Sequence, residues 1–356
     1  MNLVDRHLAL TILRHFAWAL AGLLSVFAVV NLTEELRAAG SPGWGVGRAL
    51  WFVVLTLPSE AYTLLPAAAL LGTVLGLGRL VNDQEIIALE AAGISPWRVA
   101  RAALGAAVVL AFGGMALGEL VAAPLSQRAH AQRALAMSGG RVLSTASGLW
   151  LRDGSRFVNV GALRSDGSLG EVYLFDFAGG RELVHFTHAK SAAPVDGRWQ
   201  LQDLRESTFT NDTSVDRALA TAPWATELGP KRMQALWLEP RDLSLAELQR
   251  TIATLRTQRQ NPLGHEVAFW RRVSAPVYMG VMVLLAVPMV MVRGRTVRIG
   301  ERATLGALVG LGFQMSQEMF TNLGLVIGWP PIVIALVPAM LALSLVAVLF
   351  RRQGMQ

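Results

Sequence analysis

The chain has 356 residues, 53% hydrophobic and only 16% charged, with a positive mean hydropathy. That composition belongs to membrane proteins and excludes an ordinary water-soluble globule; the absence of cysteine excludes disulfides and thiolate metal sites. The net charge of +7 comes from 32 basic residues, among which only Lys190 and Lys231 are lysine. In a membrane chain such an excess reports topology before it reports nucleic-acid binding.

Arg6, His7, Arg14 and His15 precede an uncharged apolar run, residues 16–33, that is just long enough to cross a bilayer and lacks a convincing cleavage site. This predicts a retained first span entering from the cytoplasm. Glu34, Glu35, Arg37 and the SPGWGVG stretch follow as a polar loop. A second span covers about residues 49–78, where Pro58, Glu60 and Pro66 predict a kink. The stretch 79–101 reads as a short amphipathic helix over about 82–94. Asp83 and Glu85 lead into Ile86, Ile87, Leu89 and Glu90, and Gly93 with Ser95-Pro96 closes it. Pinned between two spans, it has little to bury by itself. It either docks on a partner protein or lies at the membrane surface. Residues 102–118 form the third span, with Glu119 near its far end.

From about 126 to 265 the chain is polar and mixed. Turn signals at Asp153-Gly154, Asp166-Gly167, Gly179-Gly180 and Asp196-Gly197 separate short β-type runs such as RFVNV, EVYLFDF and RWQLQDL. They predict an antiparallel β domain, a sandwich or jelly roll, with Phe175 read as an inward-facing position. Residues 244–259 return to helical spacing. Three more spans follow, at 273–292, about 303–327 with Glu318 inside, and about 332–350 after the GWPP turn. The expected fold is thus α+β: six transmembrane helices arranged 3+3, with residues 1–125 and 266–356 flanking an inserted antiparallel β-jellyroll domain.

Arg6, Arg14, Arg79, Arg98, Arg101, Arg293, Arg295, Arg298, Arg302, Arg351 and Arg352 all fall on one side of this layout, with Arg37 and Arg48 the exceptions. The positive-inside rule then puts both termini and the 79–101 helix in the cytoplasm, and the β domain outside. No phosphate-binding G-x-x-x-x-G-K-[ST] loop, H-E-x-x-H or G-x-S-x-G occurs. His185 and His188, three apart in a predicted strand, point to opposite faces and read as a surface pair rather than a metal site. Glu60, Glu119 and Glu318 lie within spans, where a carboxylate is costly and requires a partner or a function.

Four segments carry a resemblance: PAAALLGTVLGLGRLVNDQEIIALEAAGIS at 66–95, GELVAAP at 118–124, RALAMSGGRVLSTASGLWLRDGSRFVNV at 133–160 and WPPIVIALVPA at 329–339. In this order they resemble the LptF/LptG permeases, membrane subunits of the exporter that extracts lipopolysaccharide from the inner membrane. The GLW-x-x-DG-x-x-FV pattern and the VDRH start at 4–7 resemble the LptG branch more than its LptF paralogue. The resemblance implies that this chain is a non-catalytic subunit without a cofactor of its own. ATP and Mg would be bound by a partner LptB-like ATPase dimer, alongside an LptF-like permease, LptC and a periplasmic bridge protein. It also implies that the helix after span two is the coupling helix, with Asp83, Glu85, Ile86 and Glu90 at the ATPase and Glu85 facing an arginine there. Spans one and five become gates of a lipid cavity. Family members with a basic residue near the outer end of span one use it for lipid phosphates. Here Asn31 stands in that place, leaving Arg37, Arg133 or the partner subunit for the role, with Glu318 as a further candidate in the lipid path. The run at 291–300, MVRGRTVRIG, lacks the expected FGPLRS-like pattern. The alternative readings are the LptF paralogue in the same complex, or a membrane scaffold that moves no lipid.

Overall fold

The computed structural model describes residues 3–38, 44–137, 149–153, 156–163, 167–178, 182–195, 198–210, 213–224, 226, 240–257, 260–291 and 299–352. Contacts divide the chain into two compact units, Met1–Thr33 with Thr56–Leu125 and Glu266–Gln356, and Glu34–Leu55 with Ser126–His265. Helices α1 (Leu3–Ala38), α2 (Val46–Asn82), α3 (Glu85–Ala91) and α4 (Pro96–Leu117) come first. A π-turn, Gly118–Ala122, leads from α4 into α5 (Ala123–Met137). After six strands come α6 (Leu245–Thr257), α7 (Leu263–Val290), α8 (Ile299–Ile327) and α9 (Pro331–Arg352).

Among the described residues, five stretches are long and apolar enough to cross a membrane: Leu3–Ala38, Val46–Asn82, Trp97–Arg133, Leu263–Val290 and Pro331–Arg352. They correspond to predicted spans one to four and six. The predicted fifth span is a continuous helix, α8, but Gln314, Ser316, Gln317 and Glu318 lower its hydropathy and keep it out of this set. Between α8 and α9 the GWPP turn forms as expected: Gly328 takes φ +77°, the Gly328 and Trp329 amides both donate to Gly324 O, and Pro331 opens α9. Arg293, Arg295 and Arg298 lie outside the described residues, as does the side chain of Arg302.

The first unit's core gathers Leu8, Ile12 and Phe16 from α1, Leu70, Val74 and Leu77 from α2, Ala103 and Ala106 from α4, Met282 and Val287 from α7, and Val346 from α9. Lipid tails are as apolar as these side chains, so close packing, more than transfer from water, holds such helices together. Gly72 and Gly76, one helical turn apart, make the approach of α1 possible. A Cβ at Gly72 would overlap the Phe16 backbone, and one at Gly76 would stand 3.3 Å from Ile12 Cα.

The second unit holds one antiparallel sheet of strands β1 (Leu149–Asp153), β2 (Arg156–Leu163), β3 (Leu169–Ala178), β4 (Glu182–Val195), β5 (Arg198–Thr210) and β6 (Thr213–Trp224), in that spatial order. The four predicted turn dipeptides lie wholly or partly outside the described residues, but the strands on either side of each pair as hairpins. One face buries Val158, Val160, Leu169, Val172, Leu174, Ala189, Ala192, Trp199, Leu201 and Leu204. The phase of that burial changes mid-strand. Leu169 is buried but then Val172 and Leu174; Trp199 and Leu201 but then Leu204.

The cause is a row across the sheet, Gly161, Glu171, Lys190, Asp203 and Ala220, that the strand registers pass over. Glu171 and Asp203 each take φ +49° there. A left-handed residue turns the strand over by one position, so the apolar face continues although strict alternation fails. Phe175 consequently lies on the opposite face from Leu174, where it contacts Trp150 at 5.7 Å and Phe186 at 5.1 Å between ring centroids. The inward reading of Phe175 is thereby corrected. EVYLFDF is apolar on both alternating sets, so its pattern could not choose between faces.

In the same unit α5 and α6 are tied together. Asp242, buried, accepts a 2.6 Å hydrogen bond from Ser126 Oγ and lies 3.7 Å from His130. Glu247 accepts from the Ser244 amide and hydroxyl at 2.9 and 2.8 Å and from Gln127 Nε2 at 2.9 Å. Ser244 and Glu247 thus form a capping box at the start of α6. Burial pushes the Glu247 carboxyl up, but the bonds from Ser244 and Gln127 and the charge of Arg250 together hold it below the ordinary range.

Two substitutions test this packing. Gly72→Ala is expected to lower stability by about 1–3 kcal/mol, seen as an earlier thermal transition in detergent. Gly105→Ala, whose added carbon would meet no neighbouring atom, is expected to leave the transition unchanged. In the sheet, Asp203→Val should lose about 1–2 kcal/mol because a β-branched residue resists positive φ, while Asp203→Gly retains wild-type stability in the same melt.

Candidate functional site

Three sets of polar residues stand out against this apolar background. The first surrounds α3. α2 ends at Asn82, Arg79 pairs with Asp83 at 3.3 Å, and Gln84 at φ +60° breaks the chain direction. α3 then closes where Ile94 N donates to Leu89 O and Gly93 takes φ +85°. A seven-residue helix needs an anchor, and Ile86 supplies it, buried at 3% exposure in the first unit's core. Ile86 therefore holds α3 in place, and Ile87, 56% exposed, occupies the outer surface that the sequence reading gave to Ile86. Glu85 is half-exposed, with its carboxylate 2.9 Å from His7 Nε2 on α1. Nearby in sequence to that pair, Asp5 meets Arg98 at 3.6 Å. The side chain of Glu90 lies outside the described residues.

The second set lies in the second unit. Arg133 on α5 donates from Nε to Glu35 Oε2 at 2.9 Å, and its guanidinium sits 5.5 Å from the Phe52 ring centroid. Phe52 in turn meets His130 and Trp44 edge-on. Glu35 is only 8% exposed, so Arg133 neutralises a buried carboxylate. The structure gives Arg133 to Glu35. Asn31 is half-buried on α1, and Arg37 is exposed in the last turn of that helix.

The third set was not anticipated as a cluster. The fourth span was expected to begin at Val273, but α7 starts at Leu263 and carries Arg271 and Arg272 within it. Arg272, 8% exposed, donates to Glu119 Oε1 at 3.0 Å from above the Tyr62 ring. The π-turn Gly118–Ala122 bears Glu119, and Gly118 leaves room for the Tyr62 ring. Arg271 reaches Glu318 on α8 at 2.9 Å. The signal was in the sequence: two carboxylates inside apolar runs require two cations, and RR directly before a span supplies them.

His185 bonds Thr208 at 3.0 Å, while His188 bonds Glu171 at 2.7 Å and stacks on Tyr173. They lie on opposite faces of the sheet, and no cluster of metal-ligating side chains is found among the described residues. Burial and the adjacent Glu171 carboxylate raise the Tyr173 phenol above its ordinary value.

Residues 6–352 match a family model described as lipopolysaccharide export system permease LptF/LptG. The chain is 31% identical over 355 residues to the lipopolysaccharide export system permease protein LptG of Haemophilus influenzae, covering 99% of each chain. To the protein of the same name from Escherichia coli K12 it is 31% identical over 341 residues, 95% of each chain.

Removing the cation beside a buried carboxylate leaves that group unsatisfied. Arg133→Ala is expected to lower stability by about 1–3 kcal/mol, and adding Glu35→Gln to it should recover part of the loss, as a double-mutant cycle of unfolding in detergent will read.

Proposed function

The chain belongs to the LptF/LptG family of lipopolysaccharide export permeases, and from that membership we propose that it is an LptG-type subunit that extracts lipopolysaccharide from the inner membrane. The observation that carries this reading is the family match across residues 6–352, together with relatives named LptG that align over nearly their full length. In this reading the chain is not itself an enzyme. ATP and Mg are bound by a separate LptB-like ATPase dimer, an LptF-like permease completes the cavity, and LptC passes lipid to the periplasmic bridge. Both termini and α3 face the cytoplasm, supported by the arginines at 6, 14, 79, 98, 101, 351 and 352.

Each buried methylene contributes about 0.8 kcal/mol to a lipid's hold on the bilayer, so extraction of a molecule with several acyl chains requires an external energy source. α3 is the lever. Ile86 fixes it to the helical core, while Asp83, Glu85 and Ile87 are exposed for the ATPase. In the assembled transporter Glu85 exchanges His7 for a basic residue of the ATPase. Because Arg133 is paired with Glu35 and Glu318 with Arg271, Arg37 is the better candidate for a lipid phosphate.

A mild-detergent pull-down from the native membrane tests the assignment. Recovery of an ATPase dimer, a second permease and lipopolysaccharide is expected; recovery without any ATPase or lipid would leave a scaffold instead. Glu85→Lys should reduce ATPase co-purification at least tenfold, and normal recovery would remove Glu85 from the interface.

A further inference from the structure

α8 is attached to its unit by far fewer buried side chains than α2 or α7. Among its described residues only Gly306, Gly310, Gln317 and Gly324 are buried. Val309 and Phe313 alone among its large apolar side chains pack partly against the core. α7, by contrast, buries Val267, Tyr278, Met279, Val281, Met282, Val283 and more. The glycines let α8 approach closely: a Cβ at Gly310 would stand 3.3 Å from Ala67 Cβ, and one at Gly306 3.5 Å from Leu71 and Val74. α8 also packs on α9, where Gly324 lies against Ile334, and it carries polar contacts besides. Gln317 hydrogen-bonds the Tyr278 hydroxyl, which also donates to Ala335 O. The next residue, Glu318, takes the ion pair from Arg271.

The two arginines of α7 are not equivalent. Arg272 is buried, with Glu119 and the Tyr62 ring around it. The Arg271–Glu318 pair is open, its side chains 30% and 51% exposed. A half-exposed carboxylate facing acyl chains would be costly, so its open side borders water or a polar surface. An ion pair there can be broken and remade, whereas the buried one cannot be broken without stranding a charge.

We propose that Arg271 and Glu318 form a latch that positions α8 against α7 and must open for lipid to enter or leave the cavity. This rests on the permease reading above, in which α8 corresponds to a gate span. Opening separates the pair while the glycine contacts on α2 slide, and closing restores it; Arg272–Glu119 stays fixed as the pivot side of the same helix.

The chain contains no cysteine, so Arg271→Cys/Glu318→Cys can be bridged selectively. The full transporter, with its partner chains free of reactive cysteine, is placed in vesicles with lipopolysaccharide, and bridged by a reducible bis-thiosulfonate long enough to span the pair. Bridging is expected to cut ATP-dependent lipid extraction at least tenfold, and a thiol reductant to restore it. A static structural pair would tolerate the bridge, so equal extraction with and without it overturns the latch alone. Absence of extraction in the unsubstituted transporter overturns the permease reading and the latch with it. Independently of the bridge, Arg271→Glu is expected to lose extraction that Arg271→Glu/Glu318→Arg recovers at least fivefold; a swap that recovers nothing, in transporter that assembles normally, also overturns the pairing.

Discussion

Charge inside an apolar helical unit must be neutralised where it stands, and this constraint organises the membrane half of the molecule. Glu119 on the π-turn and Glu318 on α8 are each met by one of two neighbouring arginines on α7. α7 thereby links helices that are distant in sequence, and it also contributes many of the buried apolar side chains of the core. The difference in exposure between the two pairs separates a fixed joint from one that solvent or a polar surface can reach. The same rule operates in the second unit, where buried Glu35 has Arg133 and buried Asp242 has Ser126 and His130.

The β domain meets a different constraint, that of keeping one face buried while the strands turn over. Left-handed Glu171 and Asp203 lie on one cross-strand row, and the apolar residues shift phase on both sides of it. The polar side chains of that row, Glu171, Lys190 and Asp203, line a groove together with His188 and Arg205. The same face, opposite the buried one, carries the aromatic set of Trp150, Tyr173, Phe175 and Phe186, with His188 stacked on Tyr173. A sheet with two apolar faces is one that strand periodicity alone cannot orient.

Much of the architecture was legible because its signals are long. Runs of apolar residues near bilayer thickness mark the spans, and Asp-Gly or Gly-Gly dipeptides mark the hairpins. Local, two-body features were not. Ile86 and Ile87 are indistinguishable in sequence, yet one is the anchor of α3 and the other its exposed surface, because only the packing of α3 on the core separates them. Arg133 looked like a free cation until Glu35, ninety-eight residues away, was brought beside it. Arg271 and Arg272 were placed outside the fourth span because hydropathy falls at a charge even where the helix continues. The polar middle of α8 was visible as Glu318, but the burial of Gln317 and three glycines around it was not.

The central claim is that this chain moves lipopolysaccharide by work delivered from a partner ATPase. The most direct measurement is made on the chain co-reconstituted with its permease and ATPase partners in vesicles loaded with lipopolysaccharide, following lipid arrival on a purified periplasmic acceptor. The account predicts transfer that requires ATP and Mg, requires this chain, and stops when ATP is replaced by a non-hydrolysable analogue. Lipid arrival that is the same without ATP, or without this chain, would contradict it.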